Sequence, residues 1–416
     1  MKLYPLHAVR NLAIAQQGLA APVDQDPANT PQHIYDLVER LGMVQIDTLH
    51  RVARSQYLVL WSRLGNYEPL DFDRQVYTEP QRRLFEGWLH AACYLPLTGY
   101  RYQLDAMRTS RQHAENHPGH WVNQPGNREL TAQVLERIRT EGGLRTKDFE
   151  DPRPSRGAWW DWKPAKIALE YLFLWGDVMA ANRINFHRVY DLTERVLPAW
   201  VDRSIPSPDD VTRHWIEVGS LALGAATPRQ LAAYTYRKQG AARPAIEKLV
   251  QEGVLLPIQA QVLGGQQQDM LIHHTLLPQL ERAAEGALAA RRTTFLSPFD
   301  SLLWDRQRVE HLWAFTDILE AYKPARQHTW GYFCLPILYQ DRLVGRFDPK
   351  MERSNGLLRL NALYLEPGVE LTDELVAGAA QAMRSFLTFH HATDLLIERS
   401  QPDEFGRQLL AVLSQG

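Results

Sequence analysis

The sequence predicts an α+β fold, with tandem winged helix-turn-helix domains followed by a C-terminal small β-barrel or antiparallel sheet. Two observations predict it. The order helix, helix, helix, β-hairpin occurs twice in the middle of the chain, and from Thr293 onward the pattern turns extended. The repeat can be written in register: Ala168-Leu169-Glu170-Tyr171-Leu172…Gly176-Asp177-Val178 lines up with Ala245-Ile246-Glu247-Lys248-Leu249…Gly253-Val254-Leu255. This is the winged-helix layout, whose third helix can enter a major groove while its wing lies on the backbone. Such modules also bind proteins, so the layout alone leaves DNA and protein partners both open.

Composition sets outer limits. The chain has 416 residues, enough for about two to four domains. No apolar run is long enough to span a bilayer, and Met1-Lys2-Leu3-Tyr4-Pro5-Leu6-His7 lacks a signal-peptide core, so no membrane partner is expected. Cys93 and Cys334 stand far apart, which fits neither a disulfide framework nor a thiolate zinc site. A cytoplasmic location is the simplest expectation. The formal charge of −2 gives no overall sign of nucleic-acid binding, which requires only a local basic face.

Taken in order, Leu6 to Leu19 reads as an amphipathic helix with Val9, Leu12, Ala13, Gln16 and Leu19 on one face. After a Pro/Asp/Asn loop, Thr30-Pro31 supplies a cap and first-turn proline for a helix to Leu41, which Gly42 ends. A helical pattern from Leu49 to Leu64 carries Arg51, Arg54 and Arg63. Pro80 to Met107 reads as mostly helical and aromatic. His113, His117 and His120 invite a metal reading, but Pro118-Gly119 breaks any helix that would align them, which favours a solvated loop. Glu129–Glu141 and Pro164–Trp175 are helices of the first repeat, with strands near Val178-Met179-Ala180 and His187-Arg188-Val189-Tyr190. In the second repeat, Thr227-Pro228 starts a helix to Tyr236, Arg243–Glu252 is another, and Val254–Ile258 and Asp269–Ile272 are strands. Three further strands, near 331–339, 343–347 and 357–364, are joined by Gln340-Asp341 and Ser354-Asn355-Gly356 turns, and a helix from Leu371 to His390 closes the domain. Ser297-Pro298-Phe299-Asp300 reads as a hinge at its entrance. The boundaries are 1–125 for an N-terminal winged-helix-like domain, 126–205 and 206–288 for two winged-helix domains, and 289–416 for the β-domain.

The stretch Gly42-Met43-Val44-Gln45-Ile46-Asp47-Thr48 has a different character. If it is extended, Val44 and Ile46 point inward while Gln45 and Asp47 share the other face, about 7 Å apart at roughly 3.3 Å rise per residue. A carboxylate beside an amide could hold one water against a substrate. On local chemistry alone, the favoured reading is that Asp47 or Thr48 caps the helix starting at Leu49.

Val44-Gln45-Ile46-Asp47-Thr48, Val52-Ala53-Arg54-Ser55-Gln56-Tyr57-Leu58-Val59-Leu60 and Ser62-Arg63-Leu64-Gly65-Asn66-Tyr67 resemble the YcaQ branch of the YcaQ/AlkZ family of DNA glycosylases. So do Trp159-Trp160-Asp161-Trp162-Lys163-Pro164, Arg188-Val189-Tyr190-Asp191-Leu192-Thr193, Leu296-Ser297-Pro298-Phe299-Asp300, Tyr322-Lys323-Pro324-Ala325 and Gly331-Tyr332-Phe333. The matches run in order through nearly the whole chain. The resemblance implies tandem winged helices with a β-barrel, and removal of bulky N7-alkylated purines, including unhooking of interstrand crosslinks. It also implies a Gln-x-Asp catalytic signature, matched by Gln45-Ile46-Asp47. The branch's Trp-x-His-Glu-Ala pattern reads Trp88-Leu89-His90-Ala91-Ala92, which keeps His90 as an expected DNA contact but lacks the carboxylate at Ala91.

An N7-alkylated purine is already cationic and leaves as a neutral base, so the general acid of a two-carboxylate glycosidase becomes dispensable. Asp47 would stabilise the oxocarbenium-like sugar and aim a water, with Gln45 binding the same water. No metal or cofactor is called for. Thr48 would then take the capping duty. Arg51, Arg54, Arg63, Arg183 and Arg188 are the expected contacts to phosphates of double-stranded DNA. A monomer is expected, because no heptad or dimer helix is evident. The alternative is a non-catalytic winged-helix DNA-binding protein, either a regulator or a scaffold.

Overall fold

The computed structural model describes residues 1–21, 30–151 and 162–415. Trp159, Trp160 and Asp161, quoted above for the resemblance, and most of the Pro/Asp/Asn loop lie outside the described residues. The chain forms two compact units, Met1–Pro69 with Trp215–Gly416, and Leu70–His214.

In the first unit, Thr30 precedes the helix Pro31–Leu41, and Gly42 closes it in the left-handed region at φ +73°. No other residue type fits there without strain, and a β-carbon on Gly42 would sit 2.3 Å from Cγ1 of Val218. The chain therefore turns sharply into Val44–Gln45, a two-residue strand. The second-repeat elements follow the predicted order. Thr227 and Gln230 form a reciprocal capping box at the start of the helix Pro228–Tyr234. The next helix begins at Gln239, earlier than the expected Arg243, and carries Pro244 inside it. The strands Leu255–Gln261 and Gln267–His273 pair antiparallel, and Ala225–Ala226 adds to the second of them.

The first residues of the chain join this layer. Leu3–Tyr4 pairs parallel with Leu255–Gln261, Leu3 opposite Gln259. The helix Leu6–Gln16 buries Val9, Leu12, Ala13 and Ile14 in a core with Ile258, Ile272, Leu280, Leu302 and Val309. The C-terminal sheet is a curled half-barrel. It runs Thr293–Phe295, Leu335–Tyr339, Arg342–Glu352, Leu357–Leu365 and Asp394–Ile397, with Ser400–Gln401 also on Leu357–Leu365. The last two strands are parallel to their neighbour, so the sheet is mixed where an antiparallel one was an alternative expectation. The cause is the helix Asp373–Phe389, a crossover that returns the chain to the end from which Leu357–Leu365 started.

In the second unit, the segment expected to be mostly helical opens with a hairpin, Leu84–Trp88 against Ala92–Pro96. Aromatic content suits a pleated surface as well as a helix face, and Gly87 makes room for Leu95, whose Cδ1 would lie 2.8 Å from an added β-carbon. Helix begins only later, at Leu104–Asn116 after a 3-10 turn. The first repeat comprises the helices Asn127–Glu141 and Pro164–Leu174 and the hairpin Val178–Ile184/His187–Leu192. Leu144–Arg145 pairs with the second hairpin strand, as Ala225–Ala226 does in the other repeat. Positive φ at both Asn185 (50°) and Phe186 (66°) gives the tight turn that matches strand twist.

Two buried ion clusters correct the reading of three arginines as phosphate contacts. Arg63 is 1 % exposed and makes a two-pronged pair with the fully buried Asp300, at 2.6 and 2.9 Å, while also donating to Gln17. Asp300 is thus a buried counterion as well as part of a loop. Arg183 and Arg188 turn inward onto the fully buried Glu86, with nitrogen–oxygen distances of 2.6 to 2.7 Å, and the Tyr77 hydroxyl donates to the same carboxylate at 2.6 Å. Burial pushes the Glu86 carboxyl up, but Arg188 and Arg183 outweigh it and hold the group at about 2. These guanidinium groups are taken up by structural pairing because an uncompensated buried charge costs several kcal/mol.

Glu86→Ala is expected to destabilise the protein by about 3–5 kcal/mol, because it leaves two desolvated cations facing each other. Urea unfolding measures this loss. The carboxylate's contribution should be fully present above pH 4.5, its ordinary value, and lost as pH falls toward 2. Gly42→Ala combines a disfavoured φ with the Val218 clash and should cost about 1–3 kcal/mol in the same assay.

Candidate active site

Gly42 and the alternation that follows it create the site. Val44 is 1 % exposed and Ile46 8 %, whereas Gln45 and Asp47 are each only partly buried. The expected two-faced arrangement is therefore present, although only Val44–Gln45 is a regular strand. The helix expected from Leu49 does not start there. It spans Ser55–Leu64, and residues 49–54 form a tight loop closed by an isolated bridge between His50 and Arg54. Arg54 Nη1 also donates to the Thr48 carbonyl at 2.9 Å.

This loop changes the capping expectation. Thr48 has no helix to cap, and Asp47 itself accepts a hydrogen bond from the Leu49 N–H at 2.7 Å through Oδ1. The contact is an Asx-type turn, not a helix cap, and it fixes the carboxylate's direction. Burial pushes the Asp47 carboxyl above its ordinary range, opposed by the Leu49 and Thr48 amides and the charge of Arg54. The group is held in a partly desolvated place where its charge acts with less screening.

Residues distant in sequence stand close by. The charge of Asp47, after burial, raises the hydroxyl of Tyr322, as does Tyr332. Arg51 stacks its guanidinium 5.3 Å from the centre of the Tyr332 ring. The other face of the carboxylate loop is tied to the C-terminal sheet, where Met351 N donates to the Arg51 carbonyl at 3.3 Å and Arg353 donates to the Val52 carbonyl. Tyr322 and Tyr332 were legible as resemblance motifs but not as site residues, since no spacing rule links them to Asp47.

Of the sequence-predicted residues, the structure brings Gln45, Asp47, Arg51 and Arg54 together. Arg63 is buried against Asp300, and Arg183 and Arg188 against Glu86. His90 lies at the tip of the Leu84–Trp88/Ala92–Pro96 hairpin, beside the exposed Trp88. Among the described residues, no group of three His, Cys, Asp or Glu side chains could hold a metal ion; His113 and His117 have rings 5.6 Å apart. No helix among them is long and apolar enough to cross a membrane.

The chain is similar along 96 % of its length to the whole of the Streptomyces sahachiroi DNA glycosylase AlkZ, with a TM-score of 0.63 at 16 % sequence identity. At that identity the likeness speaks for the fold. The sequence model of the family described as "DNA glycosylase AlkZ-like" matches residues 38–389, which include Gln45 and Asp47 at one end and the C-terminal crossover helix at the other. The chain belongs to the AlkZ-like DNA glycosylase family.

Proposed function

We propose that this protein is a monofunctional, monomeric DNA glycosylase that hydrolyses the N-glycosidic bond of N7-alkylated purines in double-stranded DNA, including purines joined in interstrand crosslinks. The observation that carries this reading is the placement of Gln45 and Asp47 on the accessible side of a stretch whose other side, Val44 and Ile46, is buried. The two helix–helix–hairpin units serve as winged helices that hold the duplex, with the N-terminal segment as a third. The protein acts on chromosomal DNA in the cytoplasm.

The chemistry follows from the charge already on the lesion. N7-alkylation makes the purine a cationic leaving group that departs neutral when the bond to C1′ breaks, so no side chain has to donate a proton to it. Positive charge then builds on the sugar. The Asp47 anion stabilises that charge and accepts a proton from the attacking water, and the Gln45 amide, a donor and an acceptor, orients the same water. The bond between Asp47 and the Leu49 N–H keeps the carboxylate aimed without reorganisation during the reaction. No cofactor is needed for these steps. A partly exposed pair suits a base that remains tethered to the opposite strand and cannot be drawn into a closed pocket. Arg51, Arg54 and His90 are the side chains assigned to DNA contact.

Asp47→Asn should lower single-turnover excision of N7-methylguanine by about 100- to 1000-fold while leaving duplex affinity nearly intact, as read by alkali-induced strand breaks and fluorescence anisotropy. Near wild-type breakage by that variant would overturn the assignment. Binding without any strand breaks by the wild-type protein would favour a regulator or scaffold. Because the ionised carboxylate is the active form and its pKa is raised, the wild-type rate should show an acid limb displaced above pH 3.8, absent from the Asn variant's residual rate. Duplex affinity should fall steeply between roughly 50 and 200 mM salt.

A further inference from the structure

The segment from Glu320 to Phe333 is anchored with unusual thoroughness for a loop. The Glu320 carboxylate, with its side chain 1 % exposed, accepts backbone N–H groups from Thr329 at 3.0 and 2.8 Å, Trp330 at 2.8 Å and Gly331 at 3.2 Å. Lys323 Nζ lies 3.4 Å from the same group, and the Lys323 N–H closes a turn onto the Glu320 carbonyl at 2.8 Å. A second carboxylate holds the other end. Asp348 accepts from Phe333 N at 2.9 Å and from Asn361 at 3.0 Å, and Gly331, at φ +151°, packs so closely that a β-carbon would lie 2.5 Å from Asp348 Cβ. Charge-assisted bonds to backbone donors are about twice as strong as neutral ones, so this loop has a built conformation.

What the loop presents is Tyr322, 73 % exposed, and Tyr332, whose ring faces the Arg51 guanidinium. An aromatic side chain so exposed adds little to folding. It shares its anchored loop with Tyr332, whose ring meets Arg51 of the loop that follows Asp47, and that placement gives it another use. The loop that carries Asp47 and the loop that carries the tyrosines are fixed to one strand, Arg342–Glu352, through Met351 and Asp348. Their relative placement is thus set by backbone register. Resting on the glycosylase reading above, we propose that Tyr322 and Tyr332 form the surface that receives the target base, and that Tyr322 discriminates for positive charge on it.

The physical basis is the negative face of an aromatic ring. A cation over a tyrosine is attracted by roughly 0.5–2 kcal/mol depending on desolvation, which corresponds to about 2- to 30-fold in rate or affinity. A neutral purine stacks on the same ring without that increment. At Tyr332 the Arg51 guanidinium sits over the ring, and a cationic alkylpurine would use the exposed face of Tyr322 in the same way. Tyr322 and Asp47 then act on successive stages: the ring favours the charged base before cleavage, and the carboxylate favours the charged sugar during it.

The test is single-turnover excision of N7-methylguanine from a defined duplex by the full-length chain, with anisotropy on undamaged duplex as the control. Tyr322→Phe should stay within about twofold of wild type, Tyr322→Leu should fall about tenfold or more, and affinity for undamaged DNA should not change in either. Phenylalanine analogues with one, two and three ring fluorines at position 322 should lower the rate stepwise, because each fluorine weakens the negative ring face. A Tyr322→Leu variant as active as wild type overturns the receiving surface while leaving the glycosylase reading intact. A flat fluorine series with an impaired leucine variant overturns the charge discrimination. Wild-type protein that leaves alkylated DNA unbroken overturns the glycosylase reading and this proposal together.

Discussion

The arrangement around Asp47 depends on a backbone that is tied down where a helix would have been easier. Residues 49–54 close on themselves through the His50–Arg54 bridge and the Arg54–Thr48 bond, and the loop is fixed to the strand Arg342–Glu352 by Met351. Had a helix begun at Leu49, Thr48 or Asp47 would have capped it, and a capping Asp47 would have turned its carboxylate toward the helix N-terminus. The short loop instead lets the carboxylate keep its backbone bond to Leu49 and still belong to the same accessible side as Gln45. The C-terminal sheet therefore contributes to the candidate chemistry without supplying its carboxylate, by giving both the acidic loop and the aromatic loop a common anchor.

A second theme is where the positive charge goes. Arginines that look like a DNA-facing series in the sequence are divided between two jobs. Arg63, Arg183 and Arg188 neutralise buried carboxylates, which would be costly to leave unpaired. Arg51 and Arg54 stay near the candidate site, one over an aromatic ring and the other on a carbonyl. A near-neutral chain that acts on DNA cannot rely on its total charge, and the internal use of several cations makes the local placement of the others matter more.

How much of this could be read in the sequence follows from the range of the interaction involved. Local signals were sufficient for the helix Pro31–Leu41 and its glycine stop, for the capping box at Thr227, for the paired helix–helix–hairpin layouts and for the turn at Gln340. The alternation of Val44 and Ile46 against Gln45 and Asp47 also survives in the burial pattern. Four features did not show. The hairpin at Leu84–Pro96 was hidden because aromatic residues suit either period, and Glu86 looks like a solvent-exposed helix residue until Arg183 and Arg188 are seen around it. The loop after Asp47 is anchored by contacts from a strand hundreds of residues later. The neighbourhood of Tyr322 and Asp47 is likewise a product of chain return, for which no local pattern exists.

The two-residue period at Val44-Gln45-Ile46-Asp47 makes this part of the chain behave like a reading frame. Substituting Ile46 by another apolar side chain leaves the phase untouched, so the middle of the tripeptide is open to drift. Inserting or deleting one residue between Gly42 and Asp47 exchanges the two faces, sending the amide and carboxylate into the core and the aliphatic pair outward. Point changes alter this site by degrees, whereas length changes switch it between two phases with nothing intermediate. A family built on such a stretch can diversify widely in composition while the count of residues from the glycine to the carboxylate stays fixed.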